Sequence, residues 1–264
     1  MLKITHVRKT FNRGTVNEKV ALKDVNLHLA PGDFVTVIGG NGAGKSTLLN
    51  MVAGVYPIDE GKIVLDGTNI SRLPEHARAR YLGRVFQDPM RGTAADMQID
   101  ENLALALRRG ESRSLRWGIT HAEREGYREK LARLGLGLED RLSSKVGLLS
   151  GGQRQALTLL MATLKEPSLL LLDEHTAALD PKTAAKVLEL TQEIVAEKNL
   201  TTLMVTHNMH DALRVGNRII MMNEGNVIFD ASGEEKSKLT VKDLLAKFEE
   251  AEGDEFANDR MLLG

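Results

Sequence analysis

The residues with the clearest chemical potential form a glycine-rich segment, Gly39-Gly40-Asn41-Gly42-Ala43-Gly44-Lys45-Ser46. Its spacing is G-x-x-x-x-G-K-[ST], between a β-branched run at 34–38 and an apolar helical pattern that begins at Ser46. Glycines let backbone N–H groups converge on phosphate oxygens, and the start of a helix adds a favourable dipole. We expect Lys45 to reach the β- and γ-phosphates of a nucleotide and the Ser46 hydroxyl to bind Mg²⁺. The alternative is a glycine-rich turn with a chance lysine.

A pair of carboxylates follows a leucine run later in the chain. The four leucines at 169–172 predict a buried strand, and Asp173 and Glu174 come at its carboxyl end, where open α/β sheets bind ligands. We expect Asp173 to hold Mg²⁺, directly or through water, and Glu174 to orient and deprotonate an attacking water. An apolar strand ending in acids is common by itself. Its occurrence together with the segment 39–46 favours nucleotide hydrolysis.

A third segment identifies a family. Leu149-Ser150-Gly151-Gly152-Gln153-Arg154-Gln155 closely resembles the signature sequence of ATP-binding cassette (ABC) ATPases. Independently of that resemblance, Ser150 and two glycines before a long helix offer a hydroxyl and bare N–H groups, which make a second anion-binding helix start. An ordinary N-cap is the alternative for Ser150 taken alone.

Four further positions resemble motifs of the same family. Gln87 resembles its Q-loop glutamine, Asp180 its D-loop aspartate, and His207 its switch histidine. Phe11 resembles the aromatic residue whose ring stacks on adenine, although a phenylalanine of the core or of a strand end is the alternative. These motifs occur in the family's order and cover nearly all of residues 1–230.

The resemblance implies ATP and Mg²⁺ as cofactors and a homodimer in which two chains stack head to tail. Each ATP would lie between residues 39–46 of one chain and 150–152 of the other. It assigns nucleotide contacts to Phe11, Gly39, Asn41, Gly42, Ala43, Gly44, Lys45, Ser46, Thr47, Ser150, Gly151, Gly152, Gln153 and Asp180. It assigns catalysis to Glu174, His207 and Gln87. It assigns the binding of Mg²⁺ to Ser46, Gln87 and Asp173.

The sequence departs from the family at two positions, and one stretch is unassigned. His175 and Gly40 stand where proline is usual; neither position is expected to make an obligatory contact, so catalysis should survive. Arginines recur at 108–116, as Arg108, Arg109, Arg113 and Arg116. They predict a solvated loop or, alternatively, a contact with a partner or lipid headgroups.

The elements that must position these residues alternate between strand and helix patterns. Together with the resemblance they predict an α/β fold: a P-loop NTPase core of the ABC type, with a mixed sheet plus N-terminal antiparallel strands and an inserted all-helical subdomain. The expected divisions are a nucleotide-binding core at 1–88 and 166–240, a helical subdomain with the signature at 89–165, and a helical tail at 241–264. Thr120 followed by Glu123 has capping-box spacing, which predicts a helix start there.

Composition excludes several other classes. The 264 residues carry 35 basic and 36 acidic side chains, so no basic field of the whole chain attracts nucleic acid. The absence of cysteine removes disulfides and thiolate metal sites. The N-terminus lacks the apolar region of a signal peptide, and apolar runs are far shorter than the roughly 20 residues of a membrane span. We therefore expect a cytoplasmic protein, peripheral on the inner face of the membrane.

The resemblance to ABC ATPases implies the ATPase subunit of a membrane transporter. Because apolar runs are too short for a membrane span, we expect its pore to lie on separate permease chains. Separate chains resemble bacterial importers more than fused exporters. The runs Asp173-Glu174-His175-Thr176 and Asp88-Pro89-Met90 resemble ATPases that partner a separate permease and an extracytoplasmic solute-binding protein. An amino acid is the expected solute, and aromatic amino acids are among the candidates. We expect residues 90–102 to form the surface that docks on the permease, unless Met90, Met97, Ile99 and Leu103 belong to the core. Two alternatives remain: an ATPase of an export or lipoprotein-release complex, and a soluble ABC ATPase that acts on nucleic acid or ribosomes.

Overall fold

The computed structural model describes residues 1–111 and 118–252. By internal contacts the chain divides into two units, one formed by Met1–Arg78 with the residues from Asn199 onward, the other by Ala79–Lys198. The predicted helical subdomain at 89–165 lies within the second unit, and its bounds stay a prediction, as do those of the other predicted divisions.

Strands and helices alternate along much of the chain, as the sequence predicts. The strands of the described residues are β1 (Leu2–Phe11), β2 (Lys19–Leu29), β3 (Phe34–Gly39), β4 (Glu60–Leu65), β5 (Thr68–Asn69), β6 (Leu82–Val85), β7 (Leu169–Asp173), β8 (Thr202–Val205), β9 (Arg218–Asn223) and β10 (Asn226–Ser232). The α-helices are α1 (Lys45–Ala53), α2 (Glu75–Arg78), α3 (Ile99–Leu107), α4 (His121–Ala132), α5 (Gly151–Thr163), α6 (Pro181–Glu197), α7 (Met209–Arg214), α8 (Gly233–Lys238) and α9 (Val241–Glu252). None of these helices is long and apolar enough to cross a membrane.

The first unit contains an antiparallel sheet in the order β2-β1-β4-β5. β1 and β2 bury alternate side chains, as a sheet with one face on the core requires; Leu2, Ile4 and Val7 of β1 are buried. The register between β1 and β2 shifts three times, and it pairs Phe11 with Lys19 at the end of the ladder. The antiparallel N-terminal strands that the sequence predicts are therefore confirmed.

The same unit contains a mixed group of strands in the order β10-β9-β3-β8. β3 pairs parallel with β8 and β9, and β10 pairs antiparallel with β9. All six residues of β3 are buried, which explains why its sequence is an unbroken apolar and β-branched run. The C-terminal helix α9 adds Leu244 and Phe248 to a core cluster with α7 and β9.

The second unit contains the parallel pair β6 and β7 and the helices α3 to α6. Three helices begin with a capping box, at Gln98, Thr120 and Ser150, so the helix start predicted at Thr120 is confirmed. Ile99 and Leu103 have no exposed surface. They form core, and the expectation that they belong to a docking surface is wrong for these two residues.

Candidate functional site

The glycine-rich segment connects β3 to α1. Gly42 and Gly44 have φ angles of 81° and 101°, which L side chains rarely adopt, and Gly44 is the N-cap of α1. A Cβ at Gly44 would lie 2.7 Å from the Ala21 carbonyl oxygen. The loop is thus a strand-to-helix connection whose N–H groups stand at the start of a helix, an arrangement that can bind phosphate.

Lys45 lies at the first position of α1 and is buried. Its Nζ donates to the carbonyl oxygens of Gly39 at 2.7 Å and Gly40 at 3.0 Å, so the ammonium lies inside the loop. Ser46 is exposed and Thr47 is half-buried on the next two positions. The loop therefore presents a hydroxyl to solvent beside a buried cation.

The turn between β9 and β10 supports this loop. The N–H of Gly225 donates to the Ala43 carbonyl at 3.0 Å, and the Gly225 carbonyl accepts from the Lys23 N–H at 3.0 Å. A Cβ at Gly39 would lie 2.3 Å from the Met222 carbonyl oxygen. The last strands of the first unit consequently fix the backbone of the phosphate-binding segment.

Phe11 ends β1 and lies against a second aromatic ring. The centroids of Phe11 and Tyr56 are 5.2 Å apart, with the planes at 82°. Asp59 holds the strand end, because Oδ1 accepts from the buried Lys9 ammonium at 2.9 Å and Oδ2 from the Thr10 N–H at 2.6 Å. Burial opposes ionisation of Asp59, but these hydrogen bonds outweigh it and lower the pKa of its carboxyl.

Lys19 approaches the glycine-rich segment from β2. Its Nζ lies 3.4 Å from the position that a Cβ on Gly42 would take. Within residues 1–111 and 118–252, no carboxylate forms an ion pair with Lys19. Lys19 of β2 pairs with Phe11 of β1. This end of the β1–β2 ladder therefore carries both a cation and an aromatic ring.

His207 lies between β8 and α7 in the same unit. It is exposed, and the preceding residue continues the ladder, with the Thr206 N–H donating to the Val37 carbonyl at 3.1 Å. Asn208 then caps α7. Burial raises the pKa of Asp211 in the first turn of α7, and the nearby Arg214, His210 and His207 partly oppose that shift.

β7 of the second unit ends at Asp173, and Glu174 directly follows it. Oδ2 of Asp173 lies 3.6 Å from a guanidinium nitrogen of Arg84, and both side chains are mostly buried. The backbone of Glu174 is left-handed, with φ of 44°, a strained conformation for a residue with a Cβ. Such strain persists where surrounding contacts determine the backbone.

Gln87 and Asp173 line one cavity of about 330 Å³, together with Phe86, Asp88, Arg91 and Ala178. The cavity brings an amide oxygen and a carboxylate together, and these are the ligand types that Mg²⁺ prefers. The residues predicted for Mg²⁺ in the second unit therefore fit that ion. Ser46, the third predicted ligand, belongs to the first unit.

The signature segment opens α5. The Ser150 hydroxyl accepts from the Gln153 N–H at 3.2 Å, and the Gln153 side chain accepts from the Ser150 N–H at 3.2 Å. Ser150 is thus the N-cap of α5, the alternative given for this residue taken alone. Its side chain and Gly151 are also exposed, so the anion-binding role stays a prediction. Gly152 is buried against α6, where a Cβ would lie 2.0 Å from the Thr183 methyl carbon.

Asp180 is the N-cap of α6, before Pro181 at the first helical position. Its carboxylate accepts from the Thr183 N–H at 3.1 Å, and hydrogen bonds with Thr183 lower its pKa. Asp180, which resembles the D-loop aspartate, therefore also caps a helix of its own chain.

His175 departs from the expectation that its position makes no required contact. It is 1% exposed, and Nε2 lies 3.0 Å from the hydroxyl oxygen of Thr191 on α6. Burial lowers the pKa of the imidazole to about 4, so the ring is neutral near pH 7.

The arginine stretch is only partly described. Arg108 forms an ion pair with Glu123 at 2.7 Å, and Arg109 donates to the Ala162 carbonyl at 3.4 Å. These two side chains have contacts within the second unit, which a purely solvated loop does not predict. Arg113 and Arg116 lie outside the described residues.

Sequence reasoning missed Lys19, Tyr56 and Asp59. Lys19 follows a turn and starts a strand, which carries no signal of proximity to Gly42. Asp59 directly precedes β4, and an aspartate in that place also gives no such signal. Only the pairing of Phe11 with Lys19 across β1 and β2, together with the path of the chain after α1, brings them together.

Comparisons with known proteins agree with this geometry. The family model described as "ABC transporter" matches residues 22–177. A tyrosine transport ATP-binding protein of Clostridioides difficile is 46% identical over 95% of this chain and 100% of its own length. A methionine import ATP-binding protein of Enterococcus faecalis is 32% identical over 96% of this chain and 71% of its own length.

A solved structure is similar over most of the chain. It is a dimeric ATP-binding cassette in a post-hydrolysis state with bound ADP and Pi, with a TM-score of 0.75, 31% identity, and coverage of 88% of this chain and 98% of that chain. The mixed α/β fold with its antiparallel N-terminal sheet is that of such cassettes. The chain belongs to the ABC transporter family, and it is an ATP-binding cassette that hydrolyses ATP.

Proposed function

We propose that this cassette energises the import of an amino acid, and that the solute is aromatic, with tyrosine as the first candidate. The observation that carries the proposal is the 46% identity, over its whole length, to a protein named for tyrosine transport. Relatives named for methionine and sulfate or thiosulfate import are 32% and 35% identical. Because the ATPase subunit does not itself bind the solute, the support for tyrosine comes from overall similarity.

In this proposal the glycine-rich segment binds the phosphates of ATP. The N–H groups of Gly42 and Gly44 would bind phosphate oxygens at the start of α1, and Ala43 would do so in exchange for its hydrogen bond to the Gly40 carbonyl at 3.2 Å. Lys45 would likewise exchange its loop carbonyls for the β- and γ-phosphates. The remaining contacts in the loop come from Gly39, Asn41, Ser46 and Thr47. Phe11 stacks on the adenine, held in place by Tyr56.

Mg²⁺ would be held by Ser46, Gln87 and Asp173. Mg²⁺ would supply charge neutralisation at the phosphates. Asp173 contributes a carboxylate whose charge the nearby Arg84 guanidinium also stabilises. Gln87 contributes an amide oxygen from the cavity that it lines together with Asp173.

Glu174 is the residue that orients and deprotonates the attacking water. It directly follows Asp173, and its left-handed backbone sets the direction of its side chain. His207 takes part in catalysis from the end of β8, where it is exposed. Phosphoryl transfer depends on such positioning and on charge rather than on covalent chemistry by the protein.

The second phosphate-binding helix start completes the site in a head-to-tail homodimer. Ser150 and Gly151 are exposed at the start of α5, so their hydroxyl and N–H groups can reach ATP bound to a partner chain. Gly152 and Gln153 support this turn, and Asp180 belongs to the same interface. The similar solved cassette is a dimer with ADP and Pi, which supports this assembly.

The partners are separate permease chains and an extracytoplasmic solute-binding protein. The cassette would then lie in the cytoplasm against the inner face of the membrane. Within 90–102, Met90 is the exposed apolar residue, at 48%, and it lies beside the cavity of Gln87 and Asp88. We assign the permease contact to Met90 and the exposed side chains near it, not to the buried Ile99 or Leu103.

The experiment co-expresses this chain with candidate permease and binding-protein chains from the same genome and measures the uptake of labelled tyrosine. Uptake is expected with the wild type and lost with Glu174→Gln, although that variant should still bind ATP. Unlabelled tyrosine should compete, whereas methionine and sulfate should not. Efflux of tyrosine, or uptake of methionine alone, would refute the proposed direction or solute. Wild-type ATP hydrolysis by Glu174→Gln would refute the assigned base.

A further inference from the structure

The chain between β7 and α6 consists of two consecutive turns. The Ala177 N–H donates to the Glu174 carbonyl at 3.0 Å, and the Leu179 N–H donates to the Thr176 carbonyl at 3.2 Å. The first of these is a β-turn in which His175 takes the second position. Proline is favoured there because its ring fixes φ near the required value, which gives a physical reason for a proline at this position.

His175 lacks that ring constraint but has a buried hydrogen bond instead. The Thr191 hydroxyl donates its single proton to the Val187 carbonyl at 2.8 Å. Toward His175 it can therefore only accept, and Nε2 of the imidazole must carry the proton that it donates. The tautomer is fixed by this chain of donors, and Nδ1 is left as a buried acceptor with no hydrogen-bond partner among the described residues.

This hydrogen bond joins the turn to the middle of a long helix. Thr191 lies in α6 among buried residues such as Val187 and Leu188, so its hydroxyl is held in a packed environment. The same helix contacts the signature segment through Thr183 and Gly152. Thr191 is thus a rigid point of attachment on α6. It holds His175, the residue that directly follows Glu174.

Glu174 needs such an anchor, because its left-handed backbone is strained and persists only where surrounding contacts determine it. We propose that His175 is a positioning residue that holds the Glu174 backbone, and hence its carboxylate, through the hydrogen bond from Nε2 to Thr191. The inference rests on the proposed role of Glu174 in hydrolysis. His175 and Thr191 touch neither ATP nor water in this role.

The test uses Thr191→Val, which removes the acceptor and leaves the histidine in place. kcat for ATP should fall about tenfold, while KM stays within about twofold, because a displaced carboxylate impairs turnover rather than binding. Thr191→Ser keeps the hydroxyl and should restore kcat. Thr163→Val is the matched control: Thr163 is equally buried and makes the same type of bond, to the Leu159 carbonyl at 2.9 Å, but has no histidine partner.

A second pair of variants replaces the histidine itself. His175→Ala should lose about tenfold or more in kcat, whereas His175→Pro, which presets the turn, should retain more activity than the alanine variant. In the His175→Pro background, Thr191→Val should no longer change kcat, because the hydrogen bond is already absent.

Three results would overturn the inference. Thr191→Val and Thr163→Val could lower activity equally and only in proportion to the folded fraction measured by thermal unfolding. Thr191→Val could lower kcat as much in the His175→Pro background as in the wild type. His175→Ala could match the wild type in kcat. Glu174→Gln is measured alongside: if it hydrolyses ATP normally, the proposed base is wrong, whatever the histidine variants do.

Discussion

The ring of Tyr56 stands edge-on against the ring of Phe11, with centroids 5.2 Å apart and planes at 82°. This geometry is a favoured one for aromatic pairs, and it limits the orientations that Phe11 can take at the end of β1. Tyr56→Ala should therefore weaken ATP binding about three- to tenfold, since an aromatic pair contributes about 0.5–1.5 kcal/mol. Isothermal titration with ATP measures the change.

Tyr56→Phe keeps the ring and should bind ATP as the wild type does. Phe11→Ala should weaken binding more than Tyr56→Ala, because it removes the stacking ring itself. Equal affinity for Tyr56→Ala and the wild type would show that Phe11 needs no support from Tyr56.

A second prediction concerns Lys19, whose ammonium lies near Gly42. Lys19→Met should weaken ATP binding about three- to tenfold, and the loss should shrink as salt is raised, because an exposed cation acts on phosphate through screened charge. Lys23→Met is the control: Lys23 lies on the same strand but forms an ion pair with Glu224 at 3.0 Å. An equal effect of both variants, or none from Lys19→Met, would contradict a phosphate contact.

A third prediction concerns assembly. The Glu174→Gln variant should dimerise when ATP is added, because a ligand shared by two chains stabilises the dimer by mass action. Ser150→Arg places a large side chain at the exposed start of α5 and should abolish that dimer without unfolding the chain. Sedimentation velocity with and without ATP gives the answer, and a dimer indifferent to both ATP and Ser150→Arg would exclude a shared site.

A fourth prediction tests the contact between α5 and α6. Gly152→Ala should lower the free energy of unfolding by about 1–3 kcal/mol, because the new Cβ would lie 2.0 Å from the Thr183 methyl carbon. Thr183→Ser removes that methyl and should restore much of the loss. Gly126→Ala in α4 is the opposite control, since a Cβ there meets nothing within 4 Å, and it should stabilise by about 0.5–1 kcal/mol. Urea denaturation compares the variants.

A fifth prediction follows from Lys236, a buried lysine whose Nζ donates to the carbonyls of Val215 and Gly216. Burial lowers the pKa of Lys236 to about 8, from 10.5 in the unfolded chain. Between these values the unfolded chain binds more protons than the folded one, so the free energy of unfolding should rise with pH. The cost of burying the charge is fully present below pH 8.

The measurement is urea denaturation from about pH 7.5 to 10.5 for the wild type and Lys236→Met, which cannot titrate there. The wild type should gain stability relative to the variant by up to about 3 kcal/mol. A difference that stays constant over this range would show that Lys236 keeps its ordinary pKa.

Much of the fold could be predicted because local signals agree with it. The buried strand β3, the loop and α1 follow from one motif, and the capping box at Thr120 marked the start of α4 correctly. The helices that sequence reasoning missed are short, α2 with four residues and α7 and α8 with six, and so short a helix shows little periodicity.

The site could be predicted only where its parts are contiguous. Lys45 and Ser150 belong to motifs, whereas Lys19 comes near Gly42 through strand pairing that passes three irregularities of register. His175 finds Thr191 only because α6 packs back on the turn. The sequence also left open whether Ile99 and Leu103 belong to the core or to a docking surface. An amphipathic pattern does not tell which partner covers its apolar face.

The support of the phosphate-binding loop by the β9–β10 turn has a consequence for biosynthesis. Within the first unit, β3 pairs with β8 and β9, which come late in the chain. The Ala43 carbonyl accepts its hydrogen bond from the Gly225 N–H. A ribosome must therefore translate past residue 225 before residues 39–46 reach their final shape. A nascent or truncated chain that ends before β9 would carry the complete motif and still lack the strands that hold its loop.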